Sequence, residues 1–284
     1  MTSGCFAESK ADQHLALRHE LLETDAALTL QPNAHLPPDA GADNAATLLR
    51  DRLTADGYAL LQLDEPLSTA DFIAVGKTLG DPMPETDAAV LPYVEHGIML
   101  NLTADAGHTS DASLQPFATN FLTLHTEGST RPAQRQPRLI VLMCCEPGDG
   151  TAARTVVVPM AAVRRRLSPD DAALLARVRY RAADPPPPLL RTVDGAPVFS
   201  FRDFHTAPLE WELSGDPADG NEVGPALRRL LAAMYHPAEA RAVEWRRGML
   251  LAVDNHRFFH GRTAGDGRVP EIPRHLKRLR LLGG

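Results

Sequence analysis

His125 and Glu127 stand two residues apart at the end of an apolar, β-prone run, Leu122-Thr-Leu-His125-Thr-Glu127-Gly128-Ser129. Side chains in a strand repeat every two residues, so this spacing puts an imidazole and a carboxylate on one face. There a ring nitrogen and a carboxylate oxygen can share a metal ion. With 11 histidines and 36 acids in the chain, one such triplet is weak evidence, and a hydrogen-bonded strand-end pair explains it more simply. A second segment changes the weighing. Leu250-Leu-Ala-Val-Asp254-Asn255-His256-Arg257-Phe258-Phe259-His260-Gly261-Arg262 is an apolar strand entering a polar turn, and it delivers a distant third candidate ligand, His260. Two histidines and one carboxylate make a facial ligand set that leaves coordination positions open. Arg274 and Arg278 follow. Four apart on a helix, or both inward on a strand, they can enter one site, each offering a planar fork that matches a carboxylate. Taken alone, the 274–280 cluster also reads as a solvated basic tail.

The elements that must position these residues are legible in outline. Leu15, Leu17, Leu21, Leu22 and Leu28 suit one helix face, and Pro32, Pro37, Pro38 and Gly41 then break the pattern. Residues 45–56 read as a helix capped by Gly57, residues 58–63 as a strand, and residues 68–79 as a helix with Ser68 as N-cap. In the middle of the chain, residues 121–124, 139–145, 155–158, 198–201 and 249–253 are short β-prone runs between turn signals. They imply an all-β sandwich or barrel core, hence an α+β chain that is mainly β at its centre. Ser168-Pro-Asp-Asp171 starts a helix, and residues 224–235 form another. The proline run 185–188 is an extended surface loop, and residues 214–224 read as turn-like, a mobile loop or lid.

Composition narrows the function. The chain has 284 residues, 44% hydrophobic and 23% charged, with 29 Lys+Arg against 36 Asp+Glu for a net charge of −7. That is ample for a packed core, and a net acid surface argues against general nucleic-acid binding. Of 3 cysteines, Cys144 and Cys145 are adjacent, which excludes a disulfide framework and favours a reducing, cytoplasmic setting. No secretory h-region and no membrane-length apolar run is present. A zinc deaminase also carries His-x-Glu, but it needs a downstream Pro-Cys-x-x-Cys that is missing here.

Taken in order, these segments resemble the Fe(II)/2-oxoglutarate-dependent oxygenases of the taurine dioxygenase superfamily. The likeness runs from Gly57-Tyr-Ala-Leu-Leu-Gln-Leu and Leu79-Gly80 through His125-Thr-Glu127, Arg138-Leu-Ile-Val-Leu-Met-Cys-Cys145 and Ala153-Arg154-Thr155. It ends at Asp254-Asn255-His-Arg-Phe-Phe-His260-Gly261-Arg262 and Arg274-x-x-x-Arg278. Glu rather than Asp in the first motif is similar to the clavaminate synthase-like branch, which includes hydroxylases of free L-amino acids. The resemblance implies a double-stranded β-helix (jelly roll) with flanking helices, in a single domain over residues 1–284 whose first 44 residues form a helical or irregular extension. It implies Fe(II) on His125, Glu127 and His260, and 2-oxoglutarate held by Arg274 and Thr155, with O2 as the oxidant. Arg278 would grip a substrate α-carboxylate, and the spare oxygen of Glu127 the amino group. Asn120, Glu212 and Asp216 are further substrate-binding candidates, with Asp203 a third loop acid beside the last two. The implied reaction is hydroxylation of an unactivated carbon of a free L-amino acid or close derivative, coupled to decarboxylation of 2-oxoglutarate to succinate and CO2, in the making of a natural product such as an antibiotic. The same chemistry on a non-amino-acid or carrier-bound substrate, a desaturation or cyclisation outcome, or a catalytically silent jelly-roll binding protein are the alternatives. The expected partner is a small molecule, with no nucleic acid and no membrane. Asp254 and Asn255 should shape the turn before His260, and Arg262 should pair with a nearby acid.

Overall fold

The strand Leu139–Glu146 is apolar at almost every position, so it can be buried on both faces, and it lies near the middle of the larger sheet. The computed structural model describes residues 1–37, 41–103, 114–149, 153–203, 205, 207–265 and 271–283; Pro38 lies outside the described residues. Across the larger sheet the strands run Ala34–Leu36, Tyr58–Leu63, Met249–Asp254, Leu139–Glu146, His275–Gly283, Met99–Thr103 and Val94–Glu95, with Gly80–Pro82 also paired to His275–Gly283. A second sheet orders Leu28–Thr29, Arg241–Val243, Thr155–Pro159, Phe258–Arg262 and Leu122–His125. All pairings are antiparallel except Ala34–Leu36 with Tyr58–Leu63 and Leu28–Thr29 with Arg241–Val243.

Period-two alternation decides what each sheet face meets. Val141, Met143, Leu250, Ala252, Leu279 and Leu281 pack outward with Leu49, Phe72 and Val75, which come from the helices α2 (Ala42–Asp56) and α3 (Thr69–Leu79). The alternate residues Ile140, Leu142, Leu251, Val253 and Leu276 pack inward against Val157, Val243 and Phe258 of the second sheet. The far face of the second sheet, Leu124, Val156, Val158 and Phe259, lies in one cluster with residues of four further helices. These are α1 (Gln13–Leu22), α4 (Met160–Arg166), α5 (Pro169–Leu175) and α6 (Gly220–Met234). The result is helices, sheet, sheet, helices, with the inner faces meeting in the middle.

Local signals acted as their chemistry requires. Gly57 closes α2 at φ 78°, and Ser68 and Ser168 accept from the backbone N–H of Asp71 and Asp171. Gly261 is needed between two functional residues, because a Cβ there would lie 2.7 Å from the carbonyl oxygen of Leu122 on the neighbouring strand. Two expectations are corrected. Residues 214–224 are not an open lid: Asp216 caps a short 3-10 turn at Pro217–Asp219, and α6 begins at Gly220, four residues earlier than the apolar pattern suggested. Nor is the first helix an all-leucine face. It stops at Leu22, Leu28 is 61% exposed, and the buried face carries His14 and Arg18 with Leu21 and Leu22.

Those two polar residues are buried because partners meet them. Arg18 donates to Asp203 (2.8 Å) and to Glu8, and His14 pairs with Glu8 at 2.8 Å. Asp203 accepts in turn from the Tyr235 hydroxyl, which accepts from the Leu124 N–H at 3.0 Å. Helix α1 thereby braces the strand that ends in His125. Burial pushes the Glu8 carboxyl up, but the hydrogen bonds from His14 and Arg18 outweigh it and hold it at about 2, against an ordinary 4.5. A carboxyl lowered in the folded state stabilises above its unfolded pKa and loses that stabilisation as pH falls toward the folded value. Glu8→Gln should therefore cost about 2–3 kcal/mol at pH 7, with the difference from wild type shrinking from pH 4.5 down toward pH 2. Denaturant titrations across that range measure it.

Candidate active site

The second sheet brings the two histidine segments together directly. His260 is the antiparallel partner of His125 in the pairing of Phe258–Arg262 with Leu122–His125, and their rings lie 4.3 Å apart. Glu127 comes two residues later, where the strand has already turned. Asn255 fixes it there: its Oδ1 accepts from the Glu127 N–H at 2.8 Å, and its Nδ2 donates to the carbonyls of Glu127 (3.1 Å) and Pro137 (2.9 Å). Asp254 holds the same turn, accepting from the His256 N–H and from Arg138. Both residues shape the turn as expected, but Asn255 also reaches across to a site residue 128 positions away. Asn255→Ala should cost about 1–3 kcal/mol in stability and weaken metal binding roughly tenfold, because Glu127 loses its backbone clamp. Metal titration beside thermal unfolding separates the two effects.

Glu127 Oε2 lies 3.7 Å from His125 Nε2 and 3.9 Å from His260 Nε2, and ligand atoms of all three residues fall within 4.8 Å of one another. The donor chemistry fits a divalent metal. His125 Nδ1 faces the Thr123 carbonyl at 2.8 Å, which can only accept, so Nδ1 carries a proton and Nε2 is the ring nitrogen left to face the site. Burial, and then the charge of His125, pull His260 down to about 3, so its imidazole is neutral at physiological pH; its buried Nδ1 has no hydrogen-bond partner among the described residues. Burial pushes Glu127 up, but Arg278, the hydrogen bond with His125 and Arg280 overcome it and hold the carboxyl well below the usual range. One carboxylate and two imidazoles, each with a ring nitrogen toward the site, are a donor set that suits Fe(II).

A cavity of about 380 Å³ opens beside these three residues. The strand His275–Gly283 lines it with alternate residues, since Leu276, Arg278 and Arg280 face in while Leu279 and Leu281 face out. Arg274, just before that strand, also lines it. It is 4% exposed, donates to the Ala153 carbonyl at 3.1 Å, and has a buried Nε with no partner among the described residues. Burial lowers it to about 10, so it stays charged at neutral pH. Thr155 lines the same cavity, and its hydroxyl accepts from Trp245 Nε1 at 3.0 Å, which leaves its own proton to donate.

Some expected residues are not brought here. Glu212 lies in the strand Leu209–Leu213 of a separate three-stranded sheet, between Thr2–Phe6 and Val178–Tyr180. Asp216 is spent on the Ala218 N–H. Asp203 is tied to Arg18 and Tyr235, and neither it nor Asn120, Glu212 or Asp216 lines the cavity. The Asn120 carbonyl accepts from Arg262 at 2.7 Å. Arg262 pairs with no acid among the described residues. Its two terminal nitrogens donate to the carbonyls of Gln115, Pro116, Ala118 and Asn120, because this buried guanidinium is ringed by a turn of backbone rather than by carboxylates. At Glu127, the Oε1 that was expected to meet a substrate amino group accepts from Arg280 at 3.1 Å, with Arg278 at 3.8 Å.

Two residues that sequence reading missed complete the site. Glu85, 6% exposed, accepts from Arg278 at 3.0 Å and from Arg280. The even-numbered spacing of Arg274, Arg278 and Arg280 was a usable signal for Arg280. Glu85 sits in no motif, and nothing in the sequence pointed to it.

The taurine catabolism dioxygenase TauD, TfdA family model matches residues 27–280, and the chain belongs to that family. Among curated proteins, 3-((Z)-2-isocyanoethenyl)-1H-indole synthase of Fischerella ambigua (strain UTEX 1903) is 32% identical over 93 residues, a match spanning 33% of this chain and only about a third (32%) of that protein's length. Among solved structures, PvcB of Pseudomonas aeruginosa aligns with TM-score 0.61 and 23% identity over 88% of this chain and 87% of that one. Asparagine oxygenase aligns with TM-score 0.60 and 19% identity over 98% and 93%. At these identities the structural likeness establishes a shared fold.

Proposed function

We propose that the chain is an Fe(II)- and 2-oxoglutarate-dependent oxygenase of the clavaminate synthase-like branch, its two sheets forming a double-stranded β-helix in a single domain. It would hydroxylate an unactivated carbon of an amino acid or close derivative in natural-product biosynthesis. The observation that carries this reading is the convergence of His125, Glu127 and His260 beside a buried arginine whose Nε has no partner among the described residues, in one cavity. The related proteins support it. PvcB is described as an Fe, alpha-ketoglutarate dependent oxygenase from an isonitrile synthetic pathway, and asparagine oxygenase was solved with Fe(II), 2S,3S-3-hydroxyasparagine and succinate.

His125, Glu127 and His260 would hold Fe(II). Bound iron with 2-oxoglutarate and O2 supplies the oxidising chemistry, converting the keto acid to succinate and CO2 as oxygen enters a C–H bond. The chain's own residues provide the rest. Arg274 and the Thr155 hydroxyl would hold the far carboxylate of 2-oxoglutarate, a fork and a single donor on one anion. Arg278 would grip a substrate carboxylate, fixing which C–H bond faces the metal. Apolar walls from Ile140, Leu142 and Leu276 limit water around the reacting groups.

Protein with Fe(II), ascorbate and 2-oxoglutarate should release succinate, faster with the right substrate. Arg274→Ala should raise the KM for 2-oxoglutarate by roughly 100-fold, while its metal affinity stays within about twofold of wild type, because the lost interaction is a buried charge pair with the cosubstrate. An unchanged KM would reassign this arginine.

A further inference from the structure

Charge around the cavity does not balance. Among the described residues, six arginines line it against three acids, Glu85, Asp87 and Glu127. Most of these groups are already committed. Arg262 spends its terminal nitrogens on backbone carbonyls. Arg278 and Arg280 share Glu85 and Glu127, but the buried Nε of Arg278 has no partner among the described residues, so that side keeps a donor for an incoming anion. Arg274 is the arginine assigned above to 2-oxoglutarate. Arg202 and Arg131 remain. Arg131 lies in the turn after Glu127 and adds to the positive surplus.

Arg202 is bound closely to the site. It pairs with His125 through an isolated antiparallel bridge, and its charge acts on the His260 ring. Its half-buried guanidinium donates to the neutral Gln115 Oε1 at 3.1 Å and meets no carboxylate among the described residues. A guanidinium facing a cavity without a counter-ion is an anion receptor waiting for its ligand. The acids give the complementary result. Glu85 and the Oε1 of Glu127 are taken by arginines, Oε2 of Glu127 faces the histidines, and Asp87 is exposed. Among the described residues, no buried carboxylate at the cavity is left to receive an ammonium group. Fe(II) and dianionic 2-oxoglutarate would cancel each other, so loading the site does not remove the surplus.

We propose that the substrate is an amino-acid derivative bearing two anionic groups and no free ammonium, with Arg278 holding one anion and Arg202 the other. This rests on the oxygenase reading and narrows its substrate class.

The probes are N-acetyl-L-aspartate, N-acetyl-L-glutamate and N-acetyl-L-2-aminoadipate, each beside the monoamide that removes the second charge, with free L-glutamate as the ammonium control. Calorimetric Kd values are read anaerobically with Fe(II) and saturating 2-oxoglutarate, and again on the protein alone. The expected result is that at least one dianion binds about tenfold or more tighter than its monoamide and than L-glutamate. Arg202→Gln should collapse that ratio to within about twofold, and Arg202→Lys should keep most of it, since it retains the charge. A ratio, unlike a lone Kd, is not moved by partial misfolding. The proposal is overturned if no dianion is preferred, if the preference survives Arg202→Gln, or if L-glutamate binds as tightly as its N-acetyl form. Succinate release from 2-oxoglutarate, measured on the same samples, keeps the two readings apart. Turnover without dianion preference removes only the substrate class, and preference without turnover removes only the oxygenase reading.

Discussion

His260→Ala should abolish Fe(II)-dependent succinate release, with a fall of at least about 10³-fold, while leaving the metal-free protein nearly as stable as wild type. The two halves of this expectation have separate causes. The ring of His260 sits against His125 in a buried site, is held neutral, and has an Nδ1 without a partner among the described residues, so removing it breaks no hydrogen bond seen there. What it does break is the ligand set. With two ligands instead of three, the site should lose metal affinity, and with it the stabilisation that a bound ligand confers. At a metal concentration of about 100 times Kd, that stabilisation amounts to roughly 2.7 kcal/mol. Wild type should therefore melt higher with Fe(II) under anaerobic conditions, and His260→Ala should show no such rise. His125→Ala should behave alike in turnover, but with some loss of metal-free stability, because its Nδ1 bond to Thr123 is real. Chelation of wild type with EDTA should reproduce the inactive state. Full turnover in both variants would sink the assignment.

Glu85→Ala is expected to be the most damaging change away from the metal ligands. Glu85 is the buried counter-ion that two guanidiniums share, with side chains only 2% exposed for Glu85, 13% for Arg278 and 6% for Arg280. Removing it leaves two buried cations with Glu127 as their remaining carboxylate. Breaking such a cluster costs about 3 kcal/mol, equivalent to a drop of roughly 5 °C in Tm for a chain of this size. A second consequence follows from geometry. Glu127 already accepts from Arg280 at 3.1 Å through Oε1, with Arg278 at 3.8 Å. Without Glu85 both arginines compete more strongly for this carboxylate, so Fe(II) affinity should fall as well. Glu85→Gln, which keeps the shape and an acceptor oxygen, should recover part of the stability and less of the metal affinity. Thermal unfolding and metal titration of the two variants decide it. Equal loss of both properties in the two variants would mean that shape rather than charge is what Glu85 supplies.

The sequence by itself determined the local elements and the ligand candidates. Tyr58–Leu63 begins and ends where its bounding Gly57 and turn residues dictate, and Ser68 and Ser168 cap their helices because a hydroxyl beside free N–H groups needs no tertiary help. The period-two spacing of His125 and Glu127, and the strand-to-turn run before His260, were visible for the same reason, since backbone periodicity is written locally. Tertiary structure alone decided who meets whom. Glu85 joins Arg278 and Arg280 across 193 and 195 residues, and Asn255 clamps Glu127 across 128. No local pattern encodes such partners. The same holds for Arg18, hidden on a helix face that reads as leucine-rich, and for the acids Glu212 and Asp216, whose side chains could have served the site but whose backbones lie elsewhere. Charged residues carry this uncertainty most. An apolar side chain is buried by any apolar neighbour, whereas a buried charge requires one particular partner, and which partner arrives is settled only when the sheets close over the cavity.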